Sequence, residues 1–567
     1  MKTLVISPKQ YIYLFIALLI VYIPGLFIPL MDRDQSHHAD IALHMYRSGN
    51  YTELISSGED YLDKPHLFFW AVAGFFHLFG VTTLAYKLPS FLVTCLGLYS
   101  TYRLGKLLYN TETGIIAALM TACAHAFILA NTDVRMDAML TGFVIFGTWQ
   151  LSEAVYLDKW LNYFGGALGM ALAFPTKGMI GIAMPALAAF FLIAYQRNWR
   201  QLFNPKWLVV LILLGVFISP VLYCYYLQFD LHPEKEIRGR TNISGIKFIL
   251  WDQSSERFAG TNFGKGRVKP FFFLHTMLWA FLPWAFIAYY AILSKATFFL
   301  KRGFTYVFGE EFLTLGTVLL IFIILSMAGF QLPHYLNPIF PFLGIITAQK
   351  LLELHLKTSD HKYLEIILKF QYVIIAGCVL VAILLNLWVF PIQSIPVIAA
   401  AVFVLFVLSQ HLRMQKPYFH KIIFCSSLSI IFANVLLNGN FYPKLLQYQS
   451  GSRLAKVLVR KNVDNDKVYK FNATSYDFDF YYSHIVPFAN IEDIKSNLNR
   501  GEDVWLYTND EGKDSLEQAG IPIKLIASAL NARITKLKPK FLNPKTRAQA
   551  CHTNFLIKTY SREIADK

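Results

Sequence analysis

Apolar runs recur along this chain, each closed by a few polar residues, at the length of about 17–25 residues that spans a bilayer as helix. Spans are expected near 11–30, 88–108, 113–131, 138–156, 162–175, 178–195, 207–227, 271–294, 312–330, 334–349, 365–388, 393–410 and 421–438, about thirteen in all. The segment LFFWAVAGFFHLFG (67–80) is apolar but short and reads as interfacial or re-entrant. After about residue 440 the pattern changes. KVYKFN (467–472), DVWLYT (503–508), IPIKLIA (521–527) and NFLIKTY (554–560) read as strands. IEDIKSNLNRG (491–501) and DEGKDSLEQAG (510–520) read as helices that end at glycine. The expected fold is an α-helical polytopic membrane protein with a small C-terminal α/β domain.

The loops give an orientation. With the N-terminus cytoplasmic, the inner loops carry Arg103 and Lys106, Lys159, Arg197, Arg200 and Lys206, Lys295, Lys301 and Arg302, and then Lys350, Lys357 and Lys362. That is the basic bias of cytoplasmic loops. An odd number of spans puts the tail outside. The chain then divides into a transmembrane domain, 1–440, and an extracytoplasmic domain, 441–567. The long outer loops of the first are 31–87 and 228–270. A multi-pass protein of the plasma (inner) membrane is expected. The N-terminal apolar segment has no A-x-A cleavage site and reads as an uncleaved first span.

Composition supports this reading. Hydrophobic residues make up 55% and charged residues only 16%, below the roughly 25% of soluble domains. The net charge of +16 comes largely from inner loops, so it does not point to nucleic acid. The six cysteines form no C-x-x-C, which supports neither a zinc site nor a disulfide framework.

The topology gathers a set of charges at the outer face. Immediately after the first span comes DRDQSHHAD (32–40). Asp63, Lys64 and His66 follow in the same loop, with Asp133, Arg135 and Asp137 in the next outer turn. Lys177, then Asp252, Glu256 and Arg257, then His334 and Tyr335 complete it. Most loop charges are simply solvated. Asp137 and Lys177 are different, because each sits at the edge of an apolar helix, where a lone charge is disfavoured. Cations beside carboxylates at the outer leaflet suit chemistry on a lipid-linked anion: the cations hold a phosphate, and a carboxylate acts as base or orients a nucleophile. A divalent metal finds no H-E-x-x-H or similar spacing. Asp63 and Asp252 are the carboxylates that would take one, and no cofactor is required.

These motifs resemble those of polyprenyl-phosphate-dependent glycosyltransferases of the GT-C class, in the lipid A aminoarabinose transferase family and its protein O-mannosyltransferase relatives. The resemblance is carried by Asp34 with ADIALHM (39–45), SGNY (48–51), YLDKPHL (61–67) and AYKLP (85–89). It continues through DVRMDAML (133–140), AFPTKGMIGIAMP (173–185), ERFAG (256–260) with PFFFLHTMLWAFLPW (270–284), and QLPHYLNPIFP (331–341). It implies that Asp34 is the catalytic loop acid and that Asp137 is a second acid orienting the loop or Lys64. It implies that Lys64, Arg257 and Tyr335 bind the carrier phosphate, with Lys177 and His334 at the same site. Gln331, His66, Asp252 and His37 depart from the family's usual residues at their positions.

The expected function is an integral membrane glycosyltransferase of inverting, EC 2.4 type. It would move a sugar from a polyprenyl (undecaprenyl) phosphate carrier to lipid A, another glycolipid or a protein outside the cytoplasm. The alternative is a transporter or flippase for lipid-linked sugars, which would call for ionisable residues or broken helices at mid-bilayer.

Overall fold

In the computed structural model the described residues are 4–260, 268–357 and 360–560. Part of the loop expected at 228–270, residues 261–267, and the end of the C-terminal region, 561–567, lie outside them. The chain is mainly helical, and it is a multi-pass membrane protein. Among the described residues six helices are long and apolar enough to cross a bilayer: Pro8–Phe27, Trp199–Asp230, Pro333–Leu356, His361–Val389, Ile395–Arg413 and Tyr418–Tyr448. The pair Thr111–Cys123 and His125–Thr132, bent by 58°, makes a seventh if taken as one span. This is fewer than the thirteen runs read from the sequence. The others fold as helices that are long but less apolar, such as Thr83–Leu108 and Met136–Leu157, short, such as Ile180–Gln196 and Leu313–Met327, or broken. The run at 271–294 divides into Phe272–Ala280 and Ala285–Lys301. The short segment at 67–80 is the helix Leu67–Phe79.

Small residues set the closest helix crossings. A Cβ on Gly97 would lie 2.8 Å from Cα of Gly142, and one on Gly105 would lie 2.8 Å from Cα of Gly114. Helices in lipid associate by packing and hydrogen bonding, so such backbone contact is a main source of cohesion. Lys87, fully buried, donates to the carbonyl oxygens of Gly25 (3.0 Å) and Ile28 (2.7 Å). It thereby satisfies carbonyls at the C-terminal end of the first helix that have no partner within it. That fixes where the chain leaves the membrane and enters the helix Asp34–Ser48, which ends at Gly49 with φ +69°. The left-handed conformation there suits glycine.

The C-terminal region holds a four-stranded sheet in the order Val468–Phe471, Val504–Asn509, His552–Thr559, Ile523–Asn531. Its first pair is parallel and the others antiparallel. Successive strand residues face opposite layers. Leu506 packs with Ile494, Leu498 and Leu516 of the helices Ile491–Asn499 and Asp510–Gln518. Tyr507 packs with Leu454, Leu458 and Phe478 of the helices Ser450–Lys461 and Tyr476–Tyr482. This second layer meets the membrane part. Phe480 enters the main core, and the Tyr481 hydroxyl accepts from the backbone N–H of Leu30 (2.9 Å).

Candidate active site

Short connections bring the charged side chains together. Asp34 opens the helix Asp34–Ser48. Asp133 and Arg135 lie in the turn before Met136–Leu157, and Asp137 is in that helix's first turn. Lys177 ends Trp160–Lys177. Arg257 lies in Gln253–Ala259, and His334 and Tyr335 lie in the 3-10 turn Pro333–Ile339. Asp63 and Lys64 precede Leu67–Phe79.

Two linked groups result. In the first, Arg135 spans two carboxylates. Its Nη1 is 2.8 Å from Asp34 Oδ2 and its Nη2 is 2.8 Å from Asp133 Oδ2. Nη1 also lies 3.2 Å from Nδ1 of His334, whose Nε2 is 3.9 Å from Asp137 Oδ2. Asp137 is ion-paired with Lys177, and both side chains are buried. The Lys177 ammonium lies 4.6 Å from the ring centre of Tyr335, within cation–π range. In the second group Asp63 is the hub. It pairs with Lys64, with Arg257 (2.7 Å) and with Arg238 (3.4 Å). Gln253 Nε2 donates to the Asp63 carbonyl at 2.6 Å.

The electrostatics follow. Burial alone would raise the Asp63 carboxyl, but Lys64, Arg257 and Arg238 outweigh it and hold it well below the usual carboxylate range. Burial, and next the Arg257 charge, pull the Lys64 ammonium down to about 8, against the opposing pull of Asp63. Burial brings His37 down to about 4, so at neutral pH it adds no charge.

Two cavities flank these groups. A small one, about 160 Å³, is lined by Asp137, Lys177, Arg257 and Tyr335, with apolar walls from Met184, Ile321 and Ile324. A large one, about 1090 Å³, is lined by Asp34, Arg33, Arg135 and His334, among others. Asp137 and Phe330 line both and form the partition. The Asp34 side chain is 55% exposed and open to the large cavity.

Of the residues singled out from the sequence, Asp34, Asp137, Lys177 and His334 form one chain of contacts, and Arg257, Lys64 and Asp63 form the other. Tyr335 joins Lys177. Asp252 is not brought in: it sits 3.8 Å from Lys247 and lines neither cavity. Asp63, already compensated by cations, is a poor ligand for a further one. Among the described residues no group of three or more His, Cys, Asp or Glu could hold a metal. Arg135 and Arg238 carry more of the geometry than their sequence context suggests. Arg135 shares the DVRMDAML turn with Asp137, which was a usable signal. Nothing in the loop sequence around Arg238 distinguishes it from a solvated charge.

Comparison with known proteins agrees with the motifs. Residues 63–224 match the family described as dolichyl-phosphate-mannose-protein mannosyltransferase. An uncharacterised protein of Aquifex aeolicus is 24% identical over 352 residues, covering 60% of this chain and 63% of that one. An undecaprenyl phosphate-alpha-4-amino-4-deoxy-L-arabinose arabinosyl transferase of Pseudomonas paraeruginosa is 26% identical over 307 residues, 49% of this chain and 52% of that one. The chain thus spans about half to six-tenths of the length of the curated relatives it matches. The fold of ArnT from Cupriavidus metallidurans, solved bound to undecaprenyl phosphate, superposes with a TM-score of 0.74 at 15% identity, covering 97% of this chain and 98% of that one. The Archaeoglobus fulgidus oligosaccharyltransferase does so with a TM-score of 0.51 at 13% identity, covering 90% and 71%. Sequence similarity and overall shape point the same way: the chain has the fold of the GT-C membrane glycosyltransferases.

Proposed function

We propose that this protein is a membrane glycosyltransferase that moves a sugar from a polyprenyl phosphate to an acceptor at the outer face of the plasma membrane. The observation that carries the reading is the pair of cavities meeting at Asp137. On one side lie cations and aromatic and apolar walls, and on the other an open carboxylate, Asp34. The carrier phosphate would sit by Lys64, Arg257, Lys177 and Tyr335, with the lipid chain against Ile321 and Ile324. These groups stabilise the phosphate as negative charge develops on it. Undecaprenyl phosphate is the carrier that the bacterial relatives favour.

The acceptor would approach from the large cavity. Its oxygen bonds to the anomeric carbon while the bond from that carbon to the phosphate oxygen breaks on the far side, and the electron pair leaves with the phosphate. Attack and departure from opposite faces invert the anomeric centre. Asp34, oriented by Arg135, takes the proton of a hydroxyl acceptor. A phosphate acceptor needs no base, and Asp34 then orients it. Asp137 and His334 position the two halves. The reaction as drawn uses no metal.

Thirteen crossings with a cytoplasmic N-terminus, a boundary near residue 440 and an extracytoplasmic sheet domain fit this reading. The sheet region packs against Asp34–Ser48, the helix that carries the acid. Nothing among the comparisons favours a transporter. The test is mass spectrometry of envelope glycolipids and glycoproteins from a deletion strain complemented with wild type or with Asp34→Asn. A sugar-sized mass missing from one glycoconjugate class with Asp34→Asn is expected. Full modification by that variant would overturn the assignment.

A further inference from the structure

The C-terminal region grips the segment that carries Asp34 on both sides of the acid. Before it, Gln449 accepts from the backbone N–H of Asp32 (2.7 Å) and donates to the carbonyl of Leu30 (2.8 Å). After it, His37 stacks on Tyr476 with ring centres 4.4 Å apart, and Arg47 donates from Nε to the carbonyl of Ser483 (2.9 Å). Among the described residues Asp34 itself has one ion pair, with Arg135.

The centre of this contact is charged and dry. Asp40 is fully buried, and neither of its carboxylate oxygens has a partner within hydrogen-bonding geometry. The carboxyl of Asp479 and the N–H of Ser57 lie beside it. Asp479, on the helix Tyr476–Tyr482, is buried too. Its Oδ2 pairs with Lys470 of the strand Val468–Phe471, and its Oδ1 accepts from the N–H of Val486 (3.3 Å). Lys470 is 1% exposed, and its ammonium lies 5.3 Å from the ring centre of Phe488. Two buried carboxyls thus face one buried ammonium. With both ionised the trio carries a net charge that a dry interior disfavours. One proton between the carboxyls makes it neutral and joins Asp40 to Asp479.

The neighbouring groups do not supply that balance. Lys470 is the cation whose charge is felt by both carboxyls. The helix Leu67–Phe79, packed on the same helix, has His77 as its one titratable residue, and that is bonded to the Tyr51 hydroxyl (2.5 Å). Asp32 and Asp477 form a second acid pair nearer to Asp34, with Arg33 beside Asp32. Asp477 accepts from the N–H of Ser452 (2.8 Å). His37 and His38, on the acid-bearing helix, are kept uncharged by burial. Burial raises Asp40 to about 6 and raises Asp479 as well, with Lys470 opposing in both.

We propose that Asp40, Asp479 and Lys470 are positioning residues for the acid: a proton shared by the two carboxyls locks the C-terminal region onto the helix Asp34–Ser48 and sets where Asp34 stands. This rests on Asp34 being the acid of the transferase. A carboxyl raised by burial favours docking while it holds its proton, and that contribution is lost as pH rises.

Hydrogen–deuterium exchange of the full-length protein in nanodiscs, corrected for the intrinsic rate at each pH, reads the lock directly. In the wild type, protection of 34–48 relative to 136–157 should fall as pH rises, and Asp40→Asn should show a smaller fall; a flat wild-type profile would overturn the proposal. Lys470→Met leaves two carboxyls with no cation. Its protection at 34–48 and 476–482 should be ~100-fold below wild type in mild alkali, the scale of stranding a buried charge. In mild acid, with both carboxyls protonated, it should recover. The triple variant Asp40→Asn/Lys470→Met/Asp479→Asn carries no charge here and should stay protected throughout. The helix Met136–Leu157 should keep its protection in every variant, which separates release from unfolding. In complemented deletion strains, transfer to glycoconjugates should follow protection of 34–48, while titration of each variant with undecaprenyl phosphate is unchanged. Unaltered protection in Lys470→Met, or a loss that acid and the triple variant fail to restore, would overturn the lock. Loss of protection with full transfer would overturn the positioning role. If Asp34→Asn proved fully active, the transferase reading would fail, and the exchange profiles would still decide the lock.

Discussion

Lys64 offers a quantitative test of the carrier site. Its ammonium titrates near pH 8 because the site is buried and Arg257 is close, with Lys177 adding to the repulsion and Asp63 opposing it. Only the charged form attracts a phosphate. The competent fraction of the empty site is then about 0.9 at pH 7 and about 0.1 at pH 9, and apparent affinity scales with that fraction. The dissociation constant for undecaprenyl phosphate should rise ~10-fold between those two values. The sign follows from the direction of the change: deprotonation removes the attraction, so binding is strong below the Lys64 value and is lost above it. The ligand does not mimic this trend. A phosphate monoester completes its second ionisation near pH 6, and its extra charge would strengthen binding. The assay is equilibrium titration of the carrier into the protein in nanodiscs across this range. Lys64→Arg keeps its charge throughout and should give a flat profile. A flat wild-type profile, or the same slope in Lys64→Arg, would refute the placement of Lys64 at the phosphate.

Further outcomes follow from other contacts. Asp137→Ala leaves the buried Lys177 ammonium unpaired and should cost about 3–5 kcal/mol; the double variant Asp137→Asn/Lys177→Met should lose less stability, seen as a smaller fall in melting temperature, yet remain inactive. Asp40 and Asp479, both fully buried, face a single ammonium, that of Lys470, at the contact between the sheet region and the helix Asp34–Ser48. Burial pushes Asp40 up to about 6. A carboxyl raised in the folded state stabilises below its ordinary value, and that contribution is lost as pH rises through about 6. The melting temperature should therefore fall between pH 4 and 7, and Asp40→Asn should flatten the fall; an unchanged slope would exclude Asp40 as its source. Gly97→Ala would drive a Cβ to 2.8 Å from Gly142 and should cost about 1–3 kcal/mol, read as a lower melting temperature in detergent.

Much of this protein was legible as sequence. The apolar runs, the basic connections between many of them and the strand and helix patterns after residue 440 are local properties, set by side-chain periodicity and by the length of a bilayer. Asp137 and Lys177 stood out because a lone charge at the edge of an apolar helix is disfavoured, whereas Asp34, Lys64, Arg257 and Tyr335 were singled out by the resemblance of their motifs to a known family. The helix lengths were less legible, since tertiary packing breaks some apolar runs, as at 271–294, and shortens others. The pairings were not legible at all. That Arg135 would bridge Asp34 and Asp133 while Arg238 reached Asp63, and that Asp252 would stay outside, depends on which loops fold over which. So does the packing of Ile534 and Phe541, far along the chain, in one apolar cluster with Met31. Sequence determines which charges lie in the connections between apolar runs, because that alternation is one-dimensional. Only packing in three dimensions decides which of them share a cavity, because contacts between residues hundreds of positions apart leave no local signature.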